Sequence, residues 1–158
     1  MRRSLFIALA TGAALLIPFV LAGRQAPEEL TREKIFAAGQ EWQDKYDKYE
    51  PAADMVDALK TKLGADMKID VYLGLWCPDS RNNVPLFIKI LDRLGTEVPV
   101  RYFGVPRKAN KDVKYYVEEM KVERVPSFIF YRDGEEIGRI VEKPKTGLLE
   151  DIMDIVFK

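Results

Sequence analysis

The 158-residue chain contains no histidine and a single cysteine, Cys77. Imidazole is the commonest protein ligand for zinc and copper, and one thiol cannot complete a cysteine cage, so no transition-metal site of the usual kinds is expected. A lone cysteine also excludes any disulfide within the chain, even in an oxidising compartment, and leaves packing to hold the fold. Neither sign of charge is in excess, with 25 Lys and Arg against 25 Asp and Glu. That balance offers nothing to attract nucleic acid. Internal repeats and low-complexity stretches are also absent, and 47% hydrophobic with 32% charged residues suits one compact domain.

The one long uncharged run is N-terminal. Arg2 and Arg3 precede the 18 uncharged residues Leu5 to Ala22, which end in Val20-Leu21-Ala22. A basic start, an apolar middle and a small residue at the end predict a secretory signal over residues 1–22, cut after Ala22. The competing expectation is an uncleaved anchor, because the run approaches the ~20 residues that span a bilayer. Export to a periplasmic or other extracytoplasmic space follows in either case, and contact with a membrane only in the second.

Beyond residue 22, Ile35, Ala38, Trp42, Tyr46 and Tyr49 recur at steps of three or four, which predicts one helix over residues 28–49. Pro51 interrupts it, and a second helix is expected over 52–63, stopped by Gly64. These helices form an N-terminal extension, residues 23–66, packed on a core domain of residues 67–158. The core reads as a strand over 68–75, a helix over 79–94 and a strand over 98–105, an alternation that builds parallel sheet. Val84, Phe87, Ile88, Leu91 and Leu94 mark the buried side of that helix, and Pro85 within it predicts a kink. A helix over 110–120, with Asn110 as its N-cap, leads to a hairpin turning at Asp133-Gly134 and a closing helix containing Leu148, Ile152, Ile155 and Val156.

Taken alone, a single cysteine is more often a buried filler than a nucleophile. Cys77, however, follows the apolar run 69–75 and precedes a helix, in the sequence Trp76-Cys77-Pro78-Asp79-Ser80. Unpaired amides and the dipole at a helix start favour a thiolate, the nucleophilic form. The negative charge of Asp79 opposes that form, whereas the positive charge of Arg81 supports it. Trp76 either shields the sulfur and offers a partner an apolar surface, or packs on the sheet. A second feature, Val125-Pro126-Ser127, opens another apolar run, with Pro126 lying 49 residues after Cys77.

Together these features resemble the thioredoxin superfamily, whose active site is a Trp-Cys-x-x-Cys turn facing a proline preceded by an aliphatic residue. The resemblance implies an α/β fold with a four-stranded mixed sheet flanked by helices, here with two additional N-terminal helices. It makes Cys77 the catalytic residue, Trp76, Pro78, Asp79 and Ser80 its support, and Val125 with a cis Pro126 the surface where an extended client chain would add as a strand. The second cysteine of the motif is Ser80, so the chain looks like a monothiol member. A serine hydroxyl cannot resolve a mixed disulfide. Ser80 would instead hydrogen-bond the Cys77 sulfur or satisfy helix-start amides. Thioredoxin also has a buried carboxylate six positions before its first cysteine; here that position is Val71, and Asp70 should face the other way.

These residues imply no cofactor. The partners expected are client protein thiols or disulfides and an external thiol reductant. Three activities fit: a monothiol oxidoreductase or isomerase working through a mixed disulfide at Cys77, a non-catalytic module that keeps the peptide groove at Trp76 and Pro126, or a glutathione-dependent monothiol reductase suggested by Cys-Pro-x-Ser. Arg107, Lys108, Lys111 and Lys114 read as helix and solvated loop rather than as a binding patch, since Asp112, Glu118 and Glu119 interrupt the positive charge.

Overall fold

Met67-Lys68-Ile69-Asp70-Val71-Tyr72-Leu73 is the central strand, and its alternate residues feed two separate cores. The computed structural model describes residues 26–158 except 96 and 110. The expected signal segment, 1–22, and the expected cap Asn110 therefore lie outside the described residues. The elements run β1 (Glu28–Leu30), α1 (Arg32–Phe36), α2 (Gln40–Lys48), α3 (Ala53–Lys60), β2 (Met67–Leu73), α4 (Pro78–Leu94), β3 (Val100–Gly104), α5 (Lys111–Glu119), β4 (Ser127–Arg132), β5 (Glu135–Val141) and α6 (Leu148–Val156).

The sheet order is β1-β3-β2-β4-β5, with β2 and β3 parallel and the other neighbours antiparallel. Ile69, Val71 and Leu73 point into the larger core, where they join Val84, Phe87 and Ile88 of α4, Trp42 of α2 and Ile152 of α6. Tyr72 points the other way and packs with Phe103, Val122 and Ile129. Phe87 sits between Phe128 and Phe130 of β4, with ring centroids 5.0 and 6.5 Å away. Each such side chain contributes about 1.5–3 kcal/mol by leaving water. All five residues read as the apolar side of the central helix are buried.

The N-terminal expectation needs correction. Residues 28–49 are not one helix, and the sheet has five strands rather than four. Glu28, Glu29 and Leu30 pair antiparallel with Gly104, Phe103 and Tyr102, covering what would otherwise be the open edge of β3. Thr31 then caps α1 by accepting a hydrogen bond from the Lys34 amide, and the extended ψ of 152° at Gly39 separates α1 from α2. The apolar spacing persists across this break because Ile35 and Trp42 enter the same core. Three short helices thus replace the two expected, and α3 ends at Lys60 in a turn that still buries Leu63.

The central helix starts with Pro78 at its first turn, where a missing N–H costs nothing, and continues through the buried Pro85 to a left-handed Gly95. The β4–β5 hairpin turns at Asp133 and Gly134, with φ of 50° and 83°. Two successive left-handed residues match the strand twist and explain the Asp-Gly pair.

Candidate active site

Cys77 lies where the chain leaves β2 and enters α4. Its amide donates to the Gly74 carbonyl at 2.9 Å, closing a turn, and its own carbonyl accepts from the Arg81 amide at 3.1 Å to begin the helix. Cys77 occupies the N-cap position with an extended backbone (φ −89°, ψ 124°), and its side chain makes no capping bond. The thiol instead donates to the Val125 carbonyl, with Sγ 3.1 Å from the oxygen. The residue is only 7% exposed. One edge of the sulfur site is therefore backbone from a segment 48 residues away.

That segment is held on both sides of Val125. The Val125–Pro126 bond is cis. The Ser127 hydroxyl donates to the Arg124 carbonyl at 2.6 Å, and the Glu142 amide donates to the Pro126 carbonyl at 2.7 Å. With its two neighbouring carbonyls engaged elsewhere, the Val125 carbonyl is the one directed at the sulfur. Asn83 of α4 joins the two walls, donating to the Asp79 carbonyl at 2.9 Å and reaching the Glu142 carbonyl at 3.5 Å.

Ser80 fills neither role expected of it. Its hydroxyl oxygen accepts a hydrogen bond from the Gly74 amide at 3.1 Å, and the side chain is fully buried. The bond ties the end of β2 to the first turn of α4. Trp76 folds back over the same glycine: a Cβ on Gly74 would lie 2.8 Å from the indole Cε2. The indole Nε1 donates to the Val105 carbonyl at 2.9 Å, yet Trp76 remains 43% exposed beside the exposed Leu75. Trp76 thus packs on the chain and also presents an apolar face.

Charged groups around the sulfur are mostly paired. Asp79 lies 3.7 Å from the Lys143 ammonium, Arg124 binds Glu142 at 2.6 Å, and Arg81 is engaged by Glu41 of α2. Asp70 does face away from the site: it is buried beside Tyr72 on the opposite side of β2, where Arg101 grips both its oxygens at 2.9 and 2.8 Å and Lys68 adds a third contact at 3.1 Å. Val71, fully buried, brings no proton carrier toward Cys77.

The structure thus gathers Trp76, Cys77, Pro78, Asp79, Ser80, Val125 and Pro126 around one strand–helix junction. Gly74, Asn83, Val105, Arg107, Ser127 and Glu142 join them without having been singled out for the site. Ser127 was legible as the polar residue after Pro126; Glu142 and Val105 act through backbone groups and leave no trace in residue type.

A thioredoxin family model matches residues 23–154. The chain belongs to the thioredoxin family. It is 32% identical over 114 residues to a thioredoxin H-type of Fagopyrum esculentum, an alignment covering 72% of this chain and 82% of that one. Among solved structures, a protein of unknown function from Pseudomonas aeruginosa superposes with a TM-score of 0.52 at 13% identity, covering 81% of this chain and 84% of that one. A thioredoxin of Fasciola hepatica gives a TM-score of 0.45 at 22% identity, covering 65% and 91%. Membership of the thioredoxin family supports, in general terms, a thiol–disulfide oxidoreductase role directed at protein thiols.

Proposed function

We propose that this thioredoxin-family chain is an exported monothiol oxidoreductase or isomerase that works through a mixed disulfide at Cys77. The observation that carries this reading is the 3.1 Å contact between Cys77 Sγ and the carbonyl of Val125, next to the cis Pro126. That contact requires the thiol proton. Once the proton is given up, the sulfur no longer donates to the carbonyl, and Val125 can accept an amide of an extended client segment while the sulfur attacks.

Cys77 thiolate attacks one sulfur of a client disulfide; a Cys77–client S–S bond forms, the client S–S bond breaks, and the other client sulfur leaves as a thiolate and takes up a proton. A client sulfenic acid would give the same adduct with loss of water. Release comes from outside the chain, because Ser80 has no sulfur to offer. If a client thiolate attacks the adduct, the disulfide is isomerised with no net electron transfer. If an external small thiol attacks, it ends as a mixed disulfide with the client, and a second such thiol completes the client's reduction. Pro78 starts the helix that presents the sulfur, and Asp79 with Lys143 borders it. No cofactor or metal takes part in this scheme. Export rests on the signal-like segment 1–22, which would place the reaction outside the cytoplasm.

The 7% exposure of Cys77 favours a second reading, a peptide-binding module using exposed Leu75, Trp76 and Val141. Exchange assays on a mixed-disulfide substrate decide between them. Loss of exchange in Cys77→Ala supports the oxidoreductase; unchanged exchange excludes it, and partner capture that survives the substitution supports the module.

A further inference from the structure

The rim of the sulfur site carries a fixed positive charge that is paired with no carboxylate among the described residues. Arg107, in the loop after β3, places its guanidinium 5.2 Å from the centroid of the Trp76 indole. That indole is itself fixed by its bond to the Val105 carbonyl and by its packing over Gly74. A cation over an indole face is held by the ring quadrupole, so the stack gives the arginine a preferred position beside Cys77. Among the described residues, Arg107 and its neighbour Lys108 form no ion pair, and both are exposed.

The other charges nearby compensate one another. Asp79 has Lys143, Arg81 has Glu41, and Arg124 has Glu142. Glu123, next to Arg124 in the chain, adds a negative charge on the Val125 side. Lys121 lines the same shallow depression as Glu123, so the Val125 flank is close to neutral while the Trp76 flank is basic. Arg107 and Lys108 do lie in an exposed loop, and Arg107 in addition stacks on the Trp76 indole.

We propose that Arg107 is a specificity-determining residue that selects protein clients with a carboxylate close to the reacting cysteine. The inference rests on the proposed reaction at Cys77 and names its substrate class. A client lying on the exposed indole brings its flanking side chain against the guanidinium, whose planar fork suits a carboxylate. A basic client meets uncompensated like charge and is disfavoured.

The test uses two sets of synthetic peptides, identical except for Glu, Gln or Lys flanking one central residue. In the binding set that residue is serine, so affinity is read by anisotropy without any exchange; in the reactive set it is a cysteine in a mixed disulfide. The expected result is that the Glu peptide binds about threefold to fivefold tighter than the Lys peptide at low salt. The preference should fade as salt rises, and Arg107→Glu should reverse it. Equal binding of the Glu and Lys peptides, or an unchanged ratio in Arg107→Glu, overturns the inference. Exchange rates in the reactive set report separately on Cys77: a charge preference in binding with no exchange would retain the role of Arg107 in client selection and discard the oxidoreductase.

Discussion

The Gly74 amide and the Ser80 hydroxyl oxygen meet at 3.1 Å in a buried bond that pins the end of the central strand to the first turn of the helix carrying Cys77. The serine standing in the resolving position is thereby a brace for the active-site turn. Removing the hydroxyl leaves a buried amide without an acceptor, so Ser80→Ala should lose about 1–3 kcal/mol of stability. Urea denaturation measures this; an unchanged midpoint and slope would show that the bond contributes nothing. Ser80→Cys tests the chemistry, because a second thiol at this position should let the adduct resolve internally and make client release independent of added thiol.

Gly74 is required by the indole stacked upon it. Gly74→Ala places a methyl 2.8 Å from Trp76 Cε2, which must push the ring outward and break its bond to the Val105 carbonyl. Overpacking of this kind costs about 1–3 kcal/mol. The expected result is lower stability together with red-shifted tryptophan emission, measured against the wild type, in which Trp42 is 1% exposed and Trp76 43%. Unshifted emission would mean the ring stays in place.

On the far side of the central strand, Asp70 is held by Arg101 and Lys68. Arg101→Met removes two hydrogen bonds from a carboxylate that is only 1% exposed. Breaking bonds to a buried charge should destabilise the fold by about 1–3 kcal/mol, with Lys68 limiting the loss. Thiol exchange measured on the remaining folded protein should be unaltered, since this cluster faces away from Cys77. A selective loss of exchange would couple the two faces.

Tyr102 supplies a pH dependence. Burial pushes its hydroxyl from the ordinary 10.0 up to about 12, against the opposing influence of the nearby Arg32 guanidinium. The raised value favours the neutral phenol in the folded state, so its contribution is complete below pH ~10 and is lost as pH rises from ~10 through ~12. Stability measured across that window should fall less in Tyr102→Phe than in the wild type. Among the described residues no well-aligned hydrogen bond reaches the buried Tyr102 hydroxyl, whose polar neighbour is the Arg32 guanidinium, so the substitution itself should cost no more than about 1 kcal/mol at pH ~7. An identical alkaline loss in both proteins would assign it to other groups.

Much of the fold was legible because local pattern and tertiary environment agree. The buried side of α4 and the opposed faces of Asp70 and Val71 follow from periods of 3.6 and 2 in residue type, and the hairpin turn from the tolerance of Asp133-Gly134 for positive φ. The N-terminal region departs from the expectation because Ile35 and Trp42 share one core across a break in the helix at Gly39; helical spacing cannot distinguish one helix from two packed on the same surface. β1 was invisible because Glu28 and Glu29 are exposed, and only the open edge of β3 makes strands of them. In the site, the motif locates the sulfur and the proline, but the role of Ser80 is not legible because its partner is the Gly74 amide at the end of the strand and not an amide of the helix start. Local charge counting says nothing of Arg107, and the role proposed for it rests on the ring beneath it.

The most direct test of the account is intact-mass analysis of the protein after incubation with disulfide-bearing client proteins, without added thiol. A single adduct per chain, mapped to Cys77 and discharged by a small thiol, is the predicted result. Clients recovered with the same yield by Cys77→Ala, or a wild-type chain that stays unmodified while the clients remain oxidised, would contradict it.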